Sequence, residues 1–282
     1  MRFCILLVSP PGWQHAGMYT ELAQTLVYGF TRAGHEATAS TSGPDPTARN
    51  ILINAHMLPA TVAQQLPPDT IVYNLEHIEP DTWDWAPSLK TFLERCEVWD
   101  YSAQNVARIR QFNPRVFQLP IGSEPEMTRI PKAKPQDIDV LFYGYVNERR
   151  RPVLDAIAAR GLDVQAPFGV YGRERDALIA RAKVVLNVHQ VEGRVIEMVR
   201  VSYLLANRKA VVTEHSAGME NYPDLAAALH SVPYDRIADA CQLLVRDAGR
   251  RRALELGGFK WLSARRQSRY IKELLRARDK AR

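Results

Sequence analysis

Short apolar runs alternate with stretches of helical periodicity through the first 120 or so residues. Phe3 to Val8 is unbroken and apolar, which predicts a buried strand. Residues 18–34 carry a helical pattern that Gly34 is placed to end, and Glu36 to Ser40 reads as a second strand. Four more apolar, β-branched-rich runs follow at Asn50 to His56, Ile71 to Leu75, Val98 to Tyr101 and Val116 to Leu119, with helical stretches between several of them. Strands buried on both faces and separated by helices predict a parallel sheet with helices on both sides, and six strands complete a doubly wound domain over residues 1–122.

Residues 123–137, with three prolines, mixed charge and no periodicity, read as a linker. The alternation then restarts. Strands are expected at Ile138 to Tyr143, Val164 to Pro167, Val184 to Val188 and Ala210 to Thr213, and helices at 150–160, 173–182 and 196–207. A second domain over 138–258 follows. Residues 259–282 read as a C-terminal helix with a basic tail, of the kind that packs back across the first domain. The expected fold class is α/β, two Rossmann-like doubly wound domains facing across a cleft.

Composition changes this picture little. Of 282 residues, 46% are hydrophobic and 24% charged, which excludes wholesale disorder. Cys4, Cys96 and Cys241 are an odd number, far apart, and outside any ligand spacing, so neither a disulfide framework nor a zinc site is expected. The opening apolar run is too short for a signal sequence, and no run approaches the length of a membrane helix, so a cytoplasmic location is expected. The net charge of +6 is concentrated in Arg250-Arg251-Arg252, Arg265-Arg266 and the tail from Lys272. A solvated basic helix accounts for that; so does peripheral contact with an anionic membrane at the inner face. Without interleaved aromatics, nucleic acid is not an expected partner.

In an open parallel sheet, ligands bind beyond the carboxyl ends of the strands, where helix N-termini attract anions. His15 lies in the loop after the first strand and reads either as an acceptor-side base or as an exposed loop residue. Glu76, with His77, follows the Ile71 strand; Asp100 follows Val98-Trp99 and reads equally as a cap, with Ser102, for a helix from Ala103. In the second half, Gly144 permits close backbone approach, Asn147 can cap a helix, and Arg149 and Arg150 can fork onto phosphate oxygens. Three arginines at a helix start oppose the helix dipole, which favours an anion there. Tyr171 and Gly172 suit contact with a nucleobase. The strand at Val184 delivers His189, followed by Arg194, suited to a phosphate, and Glu197, suited to ribose hydroxyls or simply to a helix's first turn.

The strand ending Leu186-Asn187-Val188-His189, the Arg194 to Glu197 turn and the segment LLANRKAVVTE resemble the donor-binding half of GT-B glycosyltransferases, closest to the family 1 and spore-coat-like (CgeB-type) group. The opening DVLFYGYVNERR resembles the strand and phosphate loop at the start of that half. Arg208 stands where that family's pattern has glycine, and the second acid of its E-x7-E motif is not evident. The resemblance implies a metal-independent transfer of sugar from a nucleotide diphosphate sugar, a co-substrate rather than a resident cofactor, to a glycan, lipid or protein acceptor. A departing diphosphate would be stabilised by helix dipole and arginine. His15, Glu76 or Asp100 would then face the acceptor, and the residues from Gly144 to Glu197 named above would hold the donor. A catalytically inactive GT-B-fold binding or scaffold protein is the alternative. An adenosylmethionine-dependent methyltransferase would need a Gly-rich first loop with a downstream acid, which this sequence does not show.

Overall fold

A computed structural model of the chain describes every residue except Pro11, Pro80, 193–195, 217–218, 220–221, 223 and 281–282. It divides into two compact units, residues 1–124 with 265–282, and residues 125–264.

The first unit is a six-stranded sheet ordered β2-β1-β3-β4-β5-β6, every adjacent pair parallel. Its strands are β1 (Arg2–Leu7), β2 (Glu36–Ser40), β3 (Arg49–Ile53), β4 (Ile71–Asn74), β5 (Glu97–Asp100) and β6 (Val116–Gln118). β1, β3, β4 and β5 are apolar because both faces are covered. On one face lies α1 (Thr20–Arg32), which turns Leu22, Ala23, Leu26 and Phe30 inward at helical spacing. Phe30 stacks on Phe3 with ring centroids 4.2 Å apart. On the other face are α2 (Thr82–Trp85), α3 (Pro87–Arg95) and α4 (Ala103–Ile109), whose Leu89, Phe92, Val106 and Ile109 share a core with Leu52, Val72 and Val98.

The second unit is a five-stranded parallel sheet ordered β11-β10-β9-β7-β8. In chain order it contains β7 (Ile138–Leu141), α5 (Arg150–Ala158), β8 (Val164–Gln165), α6 (Gly172–Arg181), β9 (Ala182–Asn187), α7 (Met198–Ala206), β10 (Ala210–Glu214), β11 (His230–Val232), α8 (Ile237–Arg246) and α9 (Ala248–Ser263). Val140, Val184, Leu186 and Val212 from the strands pack on Val153, Ile157, Ile237 and Cys241 from α5 and α8.

The last helix, α10 (Gln267–Lys280), belongs to the first unit. It lies against α1 so closely that a Cβ on Gly29 would sit 2.9 Å from both Gln267 Cγ and Ile271 Cδ1. The break expected at 258 falls inside α9, and the second unit runs on to Ala264. Arg278, one of the tail arginines, is buried rather than solvated: its Nε donates to Glu97 Oε2 at 2.8 Å. The proline-rich crossing is not free chain. Asn207 at the end of α7 accepts from the backbone N–H groups of Arg129 and Ile130, both at 2.8 Å, and donates to Met127 O at 2.9 Å. No helix among the described residues is long and apolar enough to cross a membrane.

Arg208, where the resembled pattern has glycine, adopts a left-handed backbone (φ 53°) just past the end of α7. That conformation favours glycine by about 1 kcal/mol. In compensation, the Arg208 guanidinium lies 3.8 Å from the centroid of the Phe259 ring, an attraction of about 0.5–1 kcal/mol at an exposed site. Glycine would also add entropy to the unfolded chain. Arg208→Gly is therefore expected to leave stability within about 0.5 kcal/mol of the parent in denaturant melts; a loss above about 2 kcal/mol would mean that the stack outweighs the backbone strain.

Candidate functional site

Each sheet has one place where strand order reverses, and there the loops part to leave a crevice beyond the carboxyl ends. In the first unit it lies between β1 and β3, in the second between β7 and β9.

At the first switch point the loop after β1 carries a 3-10 turn, Gln14–Tyr19, that places His15 edge-on to Trp13 with ring centroids 6.1 Å apart. The chain after β3 turns sharply at Asn54, whose backbone is left-handed (φ 66°), and so brings His56 into the loop region. Glu76, after β4, meets two groups that sequence reasoning missed: the Tyr19 hydroxyl donates to its Oε1 at 3.4 Å, and His56 Nδ1 lies 3.6 Å from the same oxygen. A carboxylate beside an imidazole and a phenol is an arrangement that can receive a proton from a hydroxyl.

Asp100 does not join them. It is fully buried, and its carboxyl accepts from Asn74 Nδ2 at 2.6 Å, Asn105 Nδ2 at 3.0 Å and the backbone N–H of Ser102 at 2.7 Å. Burial pushes it up to about 7 against those three donors. Both amides also donate to Glu76 O, at 2.8 and 2.9 Å. Asp100, expected at the acceptor, is thus tied into the frame behind Glu76 by these donors. Ser102 caps α4 by accepting from Asn105 N.

At the second switch point, Asn147 ties the two loops together: its Oδ1 accepts from Arg150 N at 3.0 Å and its Nδ2 donates to Gln190 O at 2.8 Å. Gly144 has φ 143°, and a Cβ there would approach Arg200 Nη2 to 3.3 Å. Glu197 begins α7 as its N-cap residue, with a side chain 26% exposed. Its carboxylate is 3.4 Å from Arg200 Nη1, 3.6 Å from Arg150 Nη2 and 3.9 Å from His189 Nδ1. Arg200 also donates to Asn187 Oδ1 at 3.2 Å. It sits three residues after Glu197 on the same helix, the spacing at which side chains meet, and that was the signal available in the sequence.

The two arginines expected to fork onto phosphate are engaged elsewhere. Arg150 is 4% exposed; its Nε donates to Val188 O at 3.0 Å and its Nη1 to Tyr145 O at 2.8 Å, and burial pulls its pKa down to about 10, still charged at neutral pH. It braces the crevice wall from inside. Arg149 forks onto both oxygens of Glu214, with Nη1 to Oε2 at 2.8 Å, and lies 4.4 Å from the Tyr234 ring centroid. That carboxylate raises its pKa further. Glu214, at the carboxyl end of β10 beside β9, also accepts from His189 N at 3.1 Å, a hub that sequence reasoning did not single out. Tyr171 and Gly172 follow the edge strand β8, one strand away from the switch point, at the start of α6. Arg194 lies outside the described residues. Among the described residues no group of three or more His, Cys, Asp or Glu side chains is placed to hold a metal ion.

The architecture matches solved glycosyltransferases over nearly its whole length. WaaG, a glycosyltransferase involved in lipopolysaccharide biosynthesis, aligns with TM-score 0.64 at 10% identity, covering 99% of each chain. HepE of Anabaena, solved in complex with UDP-glucose, aligns with TM-score 0.65 at 12% identity over 98% of this chain and 100% of that one. Sucrose-phosphate synthase from Thermosynechococcus elongatus aligns with TM-score 0.63 at 14% identity over all of both chains. The fold is thus two parallel-sheet α/β units of the GT-B glycosyltransferase kind. No family model matches the chain. An uncharacterised protein of Acanthamoeba polyphaga mimivirus is 30% identical over 159 residues, 54% of this chain and 51% of its own length. A second from the same virus is 30% identical over 98 residues, 13% of its length. The chain spans about half the length, or less, of these curated relatives.

Proposed function

We propose that the protein is a glycosyltransferase that moves a sugar from a nucleoside diphosphate donor, held at the switch point of the second unit, to a hydroxyl of a glycan, lipid or protein acceptor at the first. One observation carries the reading. The Glu197 carboxylate stands at the N-terminus of α7 with Arg200 and Arg150 within 3.6 Å and His189 at 3.9 Å. A helix N-terminus with a guanidinium beside it suits the diphosphate, and a carboxylate there suits hydroxyls. Because Arg149 and Arg150 are engaged, the phosphate contact falls to α7 and Arg200. The solved complexes of HepE with UDP and UDP-glucose support a nucleotide-sugar ligand for this fold.

In the reaction, the acceptor oxygen forms a bond to the anomeric carbon, the bond from that carbon to the phosphate oxygen breaks, and the diphosphate leaves with the electron pair. Glu76 takes the acceptor proton, with His56 and Tyr19 on its carboxylate and His15 on the neighbouring loop. Helix dipole and Arg200 stabilise the departing charge, so the step proceeds without a metal ion.

Thermal stabilisation by UDP, GDP, ADP, CDP and TDP tests the donor site. At a hundred times Kd, ligand binding adds about 2.7 kcal/mol to stability. One diphosphate is expected to raise Tm, and Glu197→Ala to remove that shift. If none does so, the engagement of Arg149 and Arg150 inside the fold tips the reading to a non-catalytic scaffold.

A further inference from the structure

Arg200 is anchored at one end of its guanidinium and open at the other. Nη1 donates to Asn187 Oδ1 at 3.2 Å and lies 3.4 Å from Glu197 Oε2. Nη2 reaches the β7 side of the switch point, where a Cβ on Gly144 would meet it at 3.3 Å, and it donates to no acceptor among the described residues. The side chain keeps 17% of its surface exposed.

Aromatic rings fix the plane of that guanidinium. It lies 5.2 Å from the centroid of the Tyr143 ring and 5.7 Å from that of Phe142. Tyr143 also faces a second cation, Arg175 of α6, at 6.0 Å. Arg175 is itself immobilised: it is 4% exposed, its Nη2 donates to Asp176 Oδ1 at 2.8 Å, and it lies 4.8 Å from the ring of Tyr203. The Tyr203 hydroxyl donates to Asp176 Oδ2 at 2.7 Å. Tyr203 stands three residues after Arg200 on α7, so the run of contacts closes on the helix where it began. A ring shared by two guanidinium groups attracts both through its electron-rich faces. Each cation also has a carboxylate beside it, Asp176 for Arg175 and Glu197 for Arg200, which offsets their mutual repulsion.

We propose that Tyr143 is a positioning residue for the donor: backed by Arg175, its ring holds the Arg200 guanidinium so that Nη2 presents its N–H groups to a phosphate oxygen of the nucleoside diphosphate. The inference rests on the second unit being the donor-binding one. An arginine without this stack would have to be ordered when the ligand binds, and that cost falls on affinity.

Calorimetric titration of the whole protein with UDP, GDP, ADP, CDP and TDP identifies the diphosphate that binds. That ligand, its nucleoside and inorganic pyrophosphate are then titrated into the parent, Arg200→Lys, Tyr143→Leu, Tyr143→Phe and Arg175→Lys. Tyr143→Leu is expected to weaken the diphosphate and pyrophosphate about ten-fold and to leave the nucleoside unchanged. Tyr143→Phe, which keeps the ring, should recover most of that loss. Arg175→Lys keeps the charge but gives up the flat stacking face, and should weaken the same two ligands about three-fold. Combined with Arg200→Lys, neither change should add its own loss, because the group they position is gone. Should Tyr143→Leu fail to fold, Arg175→Lys and its combination with Arg200→Lys decide the matter. Equal weakening of nucleoside and diphosphate would show a structural role and overturn the proposal. So would a loss in Tyr143→Phe equal to that in Tyr143→Leu, full additivity with Arg200→Lys, or binding indifferent to Tyr143→Leu and Arg175→Lys; each of these leaves the donor site standing. Failure of every diphosphate to bind overturns both.

Discussion

Glu97→Ala is expected to destabilise the protein by about 3–5 kcal/mol, the loss that follows from removing one partner of a buried ion network. Glu97 lies on β5 and is 6% exposed. Its Oε2 accepts from Arg49 of β3 and from Arg278 of α10, both at 2.8 Å, and its Oε1 accepts from Trp99 Nε1 at 2.9 Å. The Arg49 and Arg278 side chains are only 10% and 4% exposed, so without the carboxylate two guanidinium groups remain in a low-dielectric interior with no counter-charge. The measurement is urea unfolding of the parent, Glu97→Ala, Arg278→Met and the double variant. The double variant should lose much less than the sum, because the second change removes a charge the first left stranded. Hydrogen exchange should show α10 opening before the sheet in either single variant. By contrast, removing the exposed Arg269–Glu273 pair on the same helix should change nothing measurable. A loss below about 1 kcal/mol for Glu97→Ala would mean that water reaches the network and that α10 is held by its apolar face alone.

The parallel sheets are legible in the sequence because their inner strands are buried on both faces. Runs such as Phe3 to Val8 and Val184 to Val188 admit few other readings, and they appear in the fold as Arg2–Leu7 and Ala182–Asn187. The edge strand His230–Val232 escapes, since three half-buried residues carry no continuous apolar signal. His56 escapes for a different reason. The run Asn50 to His56 reads as one strand, but the left-handed turn at Asn54 ends it at Ile53 and sends His56 towards Glu76. A β-rich run does not announce a change in the sign of φ at its last residues.

Strand-end position marks where chemistry can occur but not which polar groups are already satisfied. Asp100 and Glu76 look alike in the sequence, each an acid closing an apolar run. Asparagines at positions 74 and 105 decide that one is an internal clamp and the other meets the crevice. The arginines after β7 illustrate the same limit. Their unfavourable place at a helix start does demand negative charge nearby, as the dipole argument holds. The charge comes from Glu197 and Glu214, which are 47 and 65 positions away along the chain from Arg150 and Arg149 respectively. Pairing at that separation is set by strand order, which periodicity does not encode.

Glu214→Ala should therefore have the second-largest effect, and should act on binding as much as on stability. Glu214 is 5% exposed and joins three pieces of the second switch point: the fork from Arg149 after β7, the backbone N–H of His189 after β9, and its own strand β10. Its backbone oxygen also accepts from Ser216, the group that orients the His189 ring. Arg149 keeps some access to water, with its side chain 20% exposed, so the stranded charge costs less than in the Glu97 network. The expected loss is about 2–3 kcal/mol, from one charge-assisted pair and one unmatched buried N–H. Donor affinity should fall by about ten-fold or more, because the loops that carry Arg149 and His189 lose their common anchor. Arg149→Met should reproduce most of the stability loss but less of the affinity loss, since it leaves the His189 N–H satisfied. Equal affinity losses in the two variants would place Arg149 itself on the ligand; unchanged affinity in both would detach this hub from the binding site.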